Sequence, residues 1–148
     1  MATLLAIYLR PGARIPTRSV GEAEAVADTG LRGDHAVGGK RQVTLLSQES
    51  WREACAEFGQ DVDPATRRAN LFFEGVDLRQ SIGRTLEIGG EDGVLVDIVG
   101  ETHPCELLDD AGRVGLYKTL KPNRRAGVFG TIQRGGTLRV GDTARLTP

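Results

Sequence analysis

The chain has 148 residues, of which 20 are Gly and only a handful are aromatic (4 Phe, 2 Tyr, 1 Trp). Glycine at roughly twice its usual share, without a three-residue period, excludes collagen, and a hydrophobic fraction of 39% argues against a disordered chain. Nineteen basic and 20 acidic residues leave a formal net charge of −1, which is no overall footprint for nucleic acid. No apolar run approaches the ~20 residues needed to cross a bilayer. Met1 to Arg10 lacks a basic region ahead of its apolar stretch, so it does not read as a signal peptide. Two cysteines in such a chain point to reduced thiols in a cytoplasmic protein. Two are too few for a four-thiolate zinc site, although with the two histidines they could supply three ligands to a catalytic metal.

Thr3 to Leu9 is an apolar run that predicts a first strand, ended by Pro11-Gly12. Residues 11–41 form a long polar segment rich in Gly, and such a segment inside a domain is more often functional than idle. Gln42 to Leu46 reads as a buried strand. A helix follows, with Trp51, Ala54, Cys55 and Phe58 on one apolar stripe and Gly59 as its stop. Ser47 or Ser50 can cap it, and Ser50 with Glu53 fits a capping box. Asp63-Pro64 predicts a second, short helix ending near Asn70. Leu71 to Phe73 is a strand, and Leu86 to Ile98 predicts a hairpin around Gly89 to Gly93. Cys105 to Leu120 looks helical, interrupted around Gly112 and Gly115. Val128 to Gln133 and Thr137 to Leu146 predict a second hairpin across Arg134-Gly135-Gly136, with Leu138, Val140, Ala144 and Leu146 on one side. Six or seven short strands with two or three short helices and Gly corners predict one mainly β domain over residues 1–148, a closed or nearly closed barrel.

Three features could carry chemistry. Cys105 lies in Thr102-His103-Pro104-Cys105-Glu106, after a strand and at an expected helix start, where amides and a nearby cation favour the thiolate. Such a thiolate could act as a nucleophile, carry a persulfide or ligate a soft metal; the alternative is a packed cysteine in a first helical turn. Cys55, on the apolar stripe, reads as a small buried hydrophobe. Asp34-His35 sits among small residues that let backbone approach a ligand, and could orient water or an oxygen-rich group; otherwise it is a satisfied Asp beside a solvent-facing His. Lys40-Arg41, Arg67-Arg68, Lys118, Lys121 and Arg124-Arg125 would suit a phosphate or other anion, or are charged surface. The chain has no Walker loop, no G-x-G-x-x-G after a strand, no C-x-x-C, no H-E-x-x-H and no G-x-S-x-G.

The segments Gly30-Leu31-Arg32-Gly33-Asp34-His35, Arg41 to Glu49, Arg68 to Leu78, His103 to Leu108, Gly115 to Leu120, Gly127 to Ile132 and Gly136 to Asp142 resemble, in order, the MOSC domain. That domain ends molybdenum-cofactor sulfurases and also occurs as small free-standing bacterial proteins. The resemblance implies a β-barrel-like fold, a functional cysteine at Cys105 and a link to molybdenum cofactor, a pterin dithiolene with a phosphate tail. It implies Cys105 as metal ligand with His103 beside it. Arg41, Arg68 and Asn70 match family motif positions as cofactor contacts, and Gly33, Asp34, His35, Lys118 and Arg124 complete the candidate binding set. The pattern departs from the family at His35, where another residue often intervenes after Asp, and at His103, where Arg is common. No flavin or nicotinamide signature is present, so an enzyme of this kind, for example one reducing N-hydroxylated substrates, would draw electrons from a partner reductase. A sulfur carrier with a persulfide on Cys105, charged by a sulfur donor, is the second reading. A non-catalytic binding barrel is the third. Nucleic acid and membrane are not expected partners, the former because few aromatics are available for stacking.

Overall fold

The computed structural model describes residues 2–104 and 115–148. Strand β1 (Ala2–Leu9) places Leu4 and Ile7 inward with no exposed surface. The next segment is not the single long loop expected. It contains β2 (Arg18–Val20), β3 (Glu22–Val26) and β4 (Gly30–Leu31). In β3 the inward positions are Ala23 and Ala25 and the outward ones Glu22, Glu24 and Val26, so its period of two is written mostly in residues of low strand preference.

Strand β5 (Val43–Ser47) is buried throughout and runs directly into helix α1 (Gln48–Phe58). Of the two candidate caps the chain uses Ser47, whose Oγ accepts a hydrogen bond from the Ser50 amide. The expected Ser50–Glu53 capping box is not used, because Glu53 turns to Arg125 and Arg79 instead. Gly59 closes the helix in the left-handed conformation at φ 90°. Replacing Ser47 with Ala is therefore expected to cost about 1 kcal/mol. Ser50→Ala should keep the cap, and urea unfolding of the two variants compares them.

After α1, Asp63-Pro64 starts only a single 3-10 turn, Pro64–Arg67, where a short α-helix was expected. Arg68 stops it by adopting a left-handed φ of 63°. Strand β6 (Leu71–Glu74) follows, then the predicted hairpin of β7 (Thr85–Ile88) and β8 (Val94–Glu101), in register at Ile88 and Val94. Helix α2 (Leu116–Leu120) is the described part of the expected 105–120 helix; Cys105 and the rest of its start lie outside the described residues.

The last strands are β9 (Val128–Arg134), β10 (Gly136–Arg139) and β11 (Thr143–Leu146). The predicted second hairpin does not form. Strand β10 leaves its neighbour to pair with β3, Leu138 opposite Ala23, in a three-stranded sheet with β4. Val140 falls in the turn after β10 and is 46% exposed, so it does not share the buried side of Leu138 and Ala144.

Seven strands close a barrel in the order β1, β11, β7, β8, β9, β5, β6 and back to β1. All these pairings are antiparallel except β5 with β6, which run parallel with Leu46 opposite Phe72. Along one edge β1 pairs first with β11 and then with β2. Inward-facing Leu4, Val43, Leu71, Phe73, Leu86, Val96 and Val128 fill the barrel and are wholly buried. Outside the wall, α1 and α2 cover Leu46 and Phe72 with Trp51, Ala54, Cys55, Leu116 and Leu120. Cys55 is buried there, as its stripe predicted. Among the described residues no helix is long and apolar enough to cross a membrane.

Candidate functional site

The helices cover only part of the outer wall. Beside them, the ends of β1, β5 and β6 meet the Gly-rich segment after β4. Arg10 follows the last residue of β1 and is buried at 8% exposure. A buried guanidinium requires a partner, and Asp34 provides it. Arg10 Nε and Nη2 donate to Asp34 Oδ1 and Oδ2 at 3.2 and 3.0 Å, and the Arg10 amide donates to Oδ1 at 2.7 Å. The Ala36 amide and Asn70 Nδ2 complete the set at 3.1 and 3.0 Å. Burial opposes ionisation of Asp34, but the hydrogen bonds and charge of Arg10 outweigh it and hold the carboxyl below its ordinary 3.8.

Asn70 is the second hub and has no exposed surface. Its Oδ1 accepts from the Thr44 amide, Thr44 Oγ1 and Arg10 Nη2, while Nδ2 also donates to the Tyr8 carbonyl. Four stretches of chain, at residues 8–10, 34–36, 44 and 70, are locked into one network. Its polar atoms are fully occupied within the protein.

Two more arginines border this network. Arg68 directs Nη1 to the Ile15 carbonyl and Nη2 to the Gly12 carbonyl, so it ties down the loop after β1. Arg41 is exposed, with its guanidinium carbon 5.9 Å from the centre of the Phe129 ring. Burial lowers the pKa of both, and repulsion from Arg10 adds to it. Arg10 alone pairs with Asp34, Arg68 feels the charge of both, and Arg41 feels that of Arg10, so positive charge is in excess here. That excess of positive charge can hold an anion. Arg41 has no hydrogen-bond or ion-pair partner among the described residues and is exposed, so its donors are available to a ligand.

Sequence reasoning found Asp34, Arg41, Arg68 and Asn70, and the structure brings these four together. It missed Arg10, which ends an apolar run and belongs to no motif. Gly33 packs on Leu9, where an added Cβ would lie 3.2 Å from Leu9 Cδ1 at φ 89°. His35 donates its amide to the Arg10 carbonyl at 2.8 Å but exposes its side chain, away from buried Asp34. Lys118, exposed on α2, and Arg124 are not part of the network. Arg124 borders a separate cleft with Asp77, Arg79, Gln80 and Asn123, donating Nη1 to the Arg79 carbonyl at 2.7 Å. His103 is exposed just beyond β8, and Cys105, two residues further, lies outside the described residues.

Phe129 links the arginine cluster to that cysteine-bearing segment. One face of its ring carries Arg41, and the ring also packs on Gly100, where an added Cβ would come within 2.8 Å of Phe129 Cζ. Gly100 is five positions before Cys105. Among the described residues no group of three His, Cys, Asp or Glu side chains could hold a metal.

The fold and site define a small closed barrel with a cationic cluster on its outer wall, beside the strand that leads toward Cys105. The MOSC domain family model matches residues 32–145, and the chain belongs to that family. Its structure resembles YuaD from Bacillus subtilis at TM-score 0.81 and 17% identity, covering 99% of this chain and 96% of that one. YiiM from Geobacillus stearothermophilus aligns at TM-score 0.76 and 14% identity, covering 100% and 76%. YiiM from Escherichia coli aligns at 0.69 and 18%, covering 99% and 70%. No curated protein sequence gives a significant match. The family is linked to molybdenum-cofactor binding, and the mostly β barrel agrees with the fold of these neighbours.

Proposed function

We propose that this protein binds molybdenum cofactor on the outer wall of the barrel, with Cys105 as the ligand to the metal. The observation that carries the reading is the buried Arg10–Asp34 pair with Arg68 and the exposed Arg41 beside Arg10, a net positive cluster. The chemistry of this donor set fits the cofactor's anionic tail: a net positive cluster, with one guanidinium free to form a fork on phosphate. Arg41 would hold that tail. Arg10 and Arg68 would add field while keeping the loops at residues 11–17 and 32–41 in place. A soft thiolate at Cys105 suits molybdenum, and His103 stands two residues from it.

When bound, the cofactor supplies two-electron chemistry at the metal, and reduction of an N-hydroxylated substrate is the reaction class that this reading favours. Electrons then come from a partner reductase, since the chain has no flavin or nicotinamide motif of its own. The protein's part is to ligate, to orient the tail and to provide the local field.

Purification from cells that make the cofactor, followed by elemental analysis, tests the proposal. Wild type should carry stoichiometric molybdenum, and Cys105→Ser should lose it. A protein without metal but with cyanide-labile sulfur on Cys105 would instead be a sulfur carrier. Neither signal, with Cys105→Ser fully active in cells, would leave a non-catalytic binding barrel.

A further inference from the structure

The cationic character of this wall extends well beyond a cofactor-sized site. Residues 10–18, 32–41 and 67–68 contain eight of the chain's 19 basic residues but only one of its 20 acidic ones, Asp34, which is buried against Arg10. The whole chain carries −1, so the rest of the molecule is strongly acidic and the charge is polarised. Arg14, Arg18, Arg32 and Lys40 are exposed and form no ion pair among the described residues. Elsewhere Arg79, Arg124, Arg139 and Arg145 each face a carboxylate, while Arg52, Lys118 and Lys121 are scattered exposed cations.

Among the described residues, two of the four exposed large hydrophobics lie in the same loops. Ile15 is 53% exposed and Val37 is 65% exposed. Neither loop is loose. Arg68 holds the Gly12 and Ile15 carbonyls, while the Asp34 carboxylate accepts the Ala36 amide and the Gly38 amide donates to the Thr29 carbonyl at 2.8 Å. Preorganised loops that present exposed apolar side chains together with unpaired cations have the composition of a protein interface.

We propose that the loops at residues 11–17 and 32–40 dock an acidic protein, whose carboxylates meet Arg14, Arg32 and Lys40 and whose apolar side chains cover Ile15 and Val37. Composition favours a protein over the other polyanions. Seven of the eight basic residues are Arg, the residue enriched at protein interfaces where Lys is depleted, and its planar fork matches a carboxylate. These loops hold no Phe, Tyr or Trp as a stacking platform for bases. A bilayer surface would favour an amphipathic helix, and the described backbone here is short strands and turns. The docking face goes beyond cofactor binding and can be tested without it.

The test uses the purified full chain and three probes: a fluorescent Glu-rich peptide interrupted by Leu, an oligouridylate of equal charge, and vesicles of phosphatidylcholine with phosphatidylserine. Anisotropy should show the peptide bound most tightly, with affinity falling as salt rises. Arg14→Glu with Lys40→Glu should weaken it about tenfold or more. Val37→Asp should weaken it as well. The charge-matched control Arg52→Glu with Lys121→Glu, away from these loops, should stay within about twofold. Amide NMR shifts of wild type on adding peptide should fall in residues 11–17 and 32–40, a readout that depends on no variant. Absence of peptide binding, shifts confined to other segments, equal losses in the two double variants, or tighter binding of RNA or vesicles would each overturn the proposal. All proposed variants leave Arg10, Arg41, Arg68 and Cys105 intact. Loss of docking with retained molybdenum therefore separates this inference from the cofactor reading, and the reverse result does the same.

Discussion

Asp34→Asn is expected to lower the free energy of unfolding by about 3–5 kcal/mol, the cost of leaving a buried charge without its partner. The substitution preserves volume, and an amide oxygen can still accept at one position. The other oxygen becomes an NH2 group, which faces two donors, Arg10 Nη2 and the Ala36 amide. Arg10 cannot escape to water readily, because its side chain is 9% exposed. Asn70 Nδ2 keeps an acceptor at Oδ1, but a neutral one in place of a carboxylate oxygen. Replacing both partners with apolar residues can rescue an isolated buried pair, but here the Arg10 and Ala36 amides would still be left without an acceptor. Urea unfolding of wild type and variant measures the difference, and a loss below about 1 kcal/mol would show that the network is not as closed as it looks.

The same substitution has a pH signature. The folded-state pKa of Asp34 lies below its ordinary 3.8, so the carboxylate contributes stability that is fully present above that value. The contribution is lost as pH falls through the folded value. The gap between wild type and Asp34→Asn should therefore be constant near neutrality and narrow below about pH 4. A gap that widened in acid would contradict a depressed pKa.

How much of this was legible in the sequence depends on how far each signal reaches along the chain. Strand β1, helix α1 and the β7–β8 hairpin are written locally, in an apolar run, a stripe ending at Gly59, and alternation around a Gly-rich turn. Strand β3 was not legible, because Glu and Ala alternate there and its partner β10 lies over 110 residues away at Thr137 to Glu24. The mistaken hairpin has the same origin. Arg134-Gly135-Gly136 looks like a tight turn, yet Gly135 lies against β3, where an added Cβ would be 2.5 Å from the Ala25 carbonyl oxygen, and the chain continues into another sheet. In the site, Asp34 and Asn70 were visible within family-like motifs. Arg10 was not, since its partners are 24 and 60 positions away and nothing around it marks a strand-end Arg as a buried ion. Long-range pairing decided each of these cases.

Gly127→Ala should be nearly as damaging as the loss of Asp34, for a steric reason. Gly127 has φ 98°, and a Cβ there would sit 2.2 Å from the Leu45 carbonyl oxygen in the backbone of β5. A left-handed non-Gly residue costs about 1–2 kcal/mol, and forcing backbone apart in a packed wall adds about 1–3 kcal/mol. For a domain of this size the sum should depress Tm by roughly 10 °C. Gly38→Ala separates the two contributions: its φ of 70° is also left-handed, but nothing lies within 4 Å of the added carbon. It should lose only the conformational part, about 1–2 kcal/mol. Equal losses in the two variants would mean that the contact with β5 relaxes freely. The position also matters for function. The Thr102 amide donates to the Gly127 carbonyl at 3.0 Å, and Thr102 Oγ1 donates to Ala126 at 2.7 Å, so this bend anchors the end of β8 just before His103 and Cys105. Pushing Gly127 away from β5 should shift the Thr102 and His103 amide resonances. A close approach that only Gly permits therefore fixes where the cysteine-bearing segment leaves the barrel.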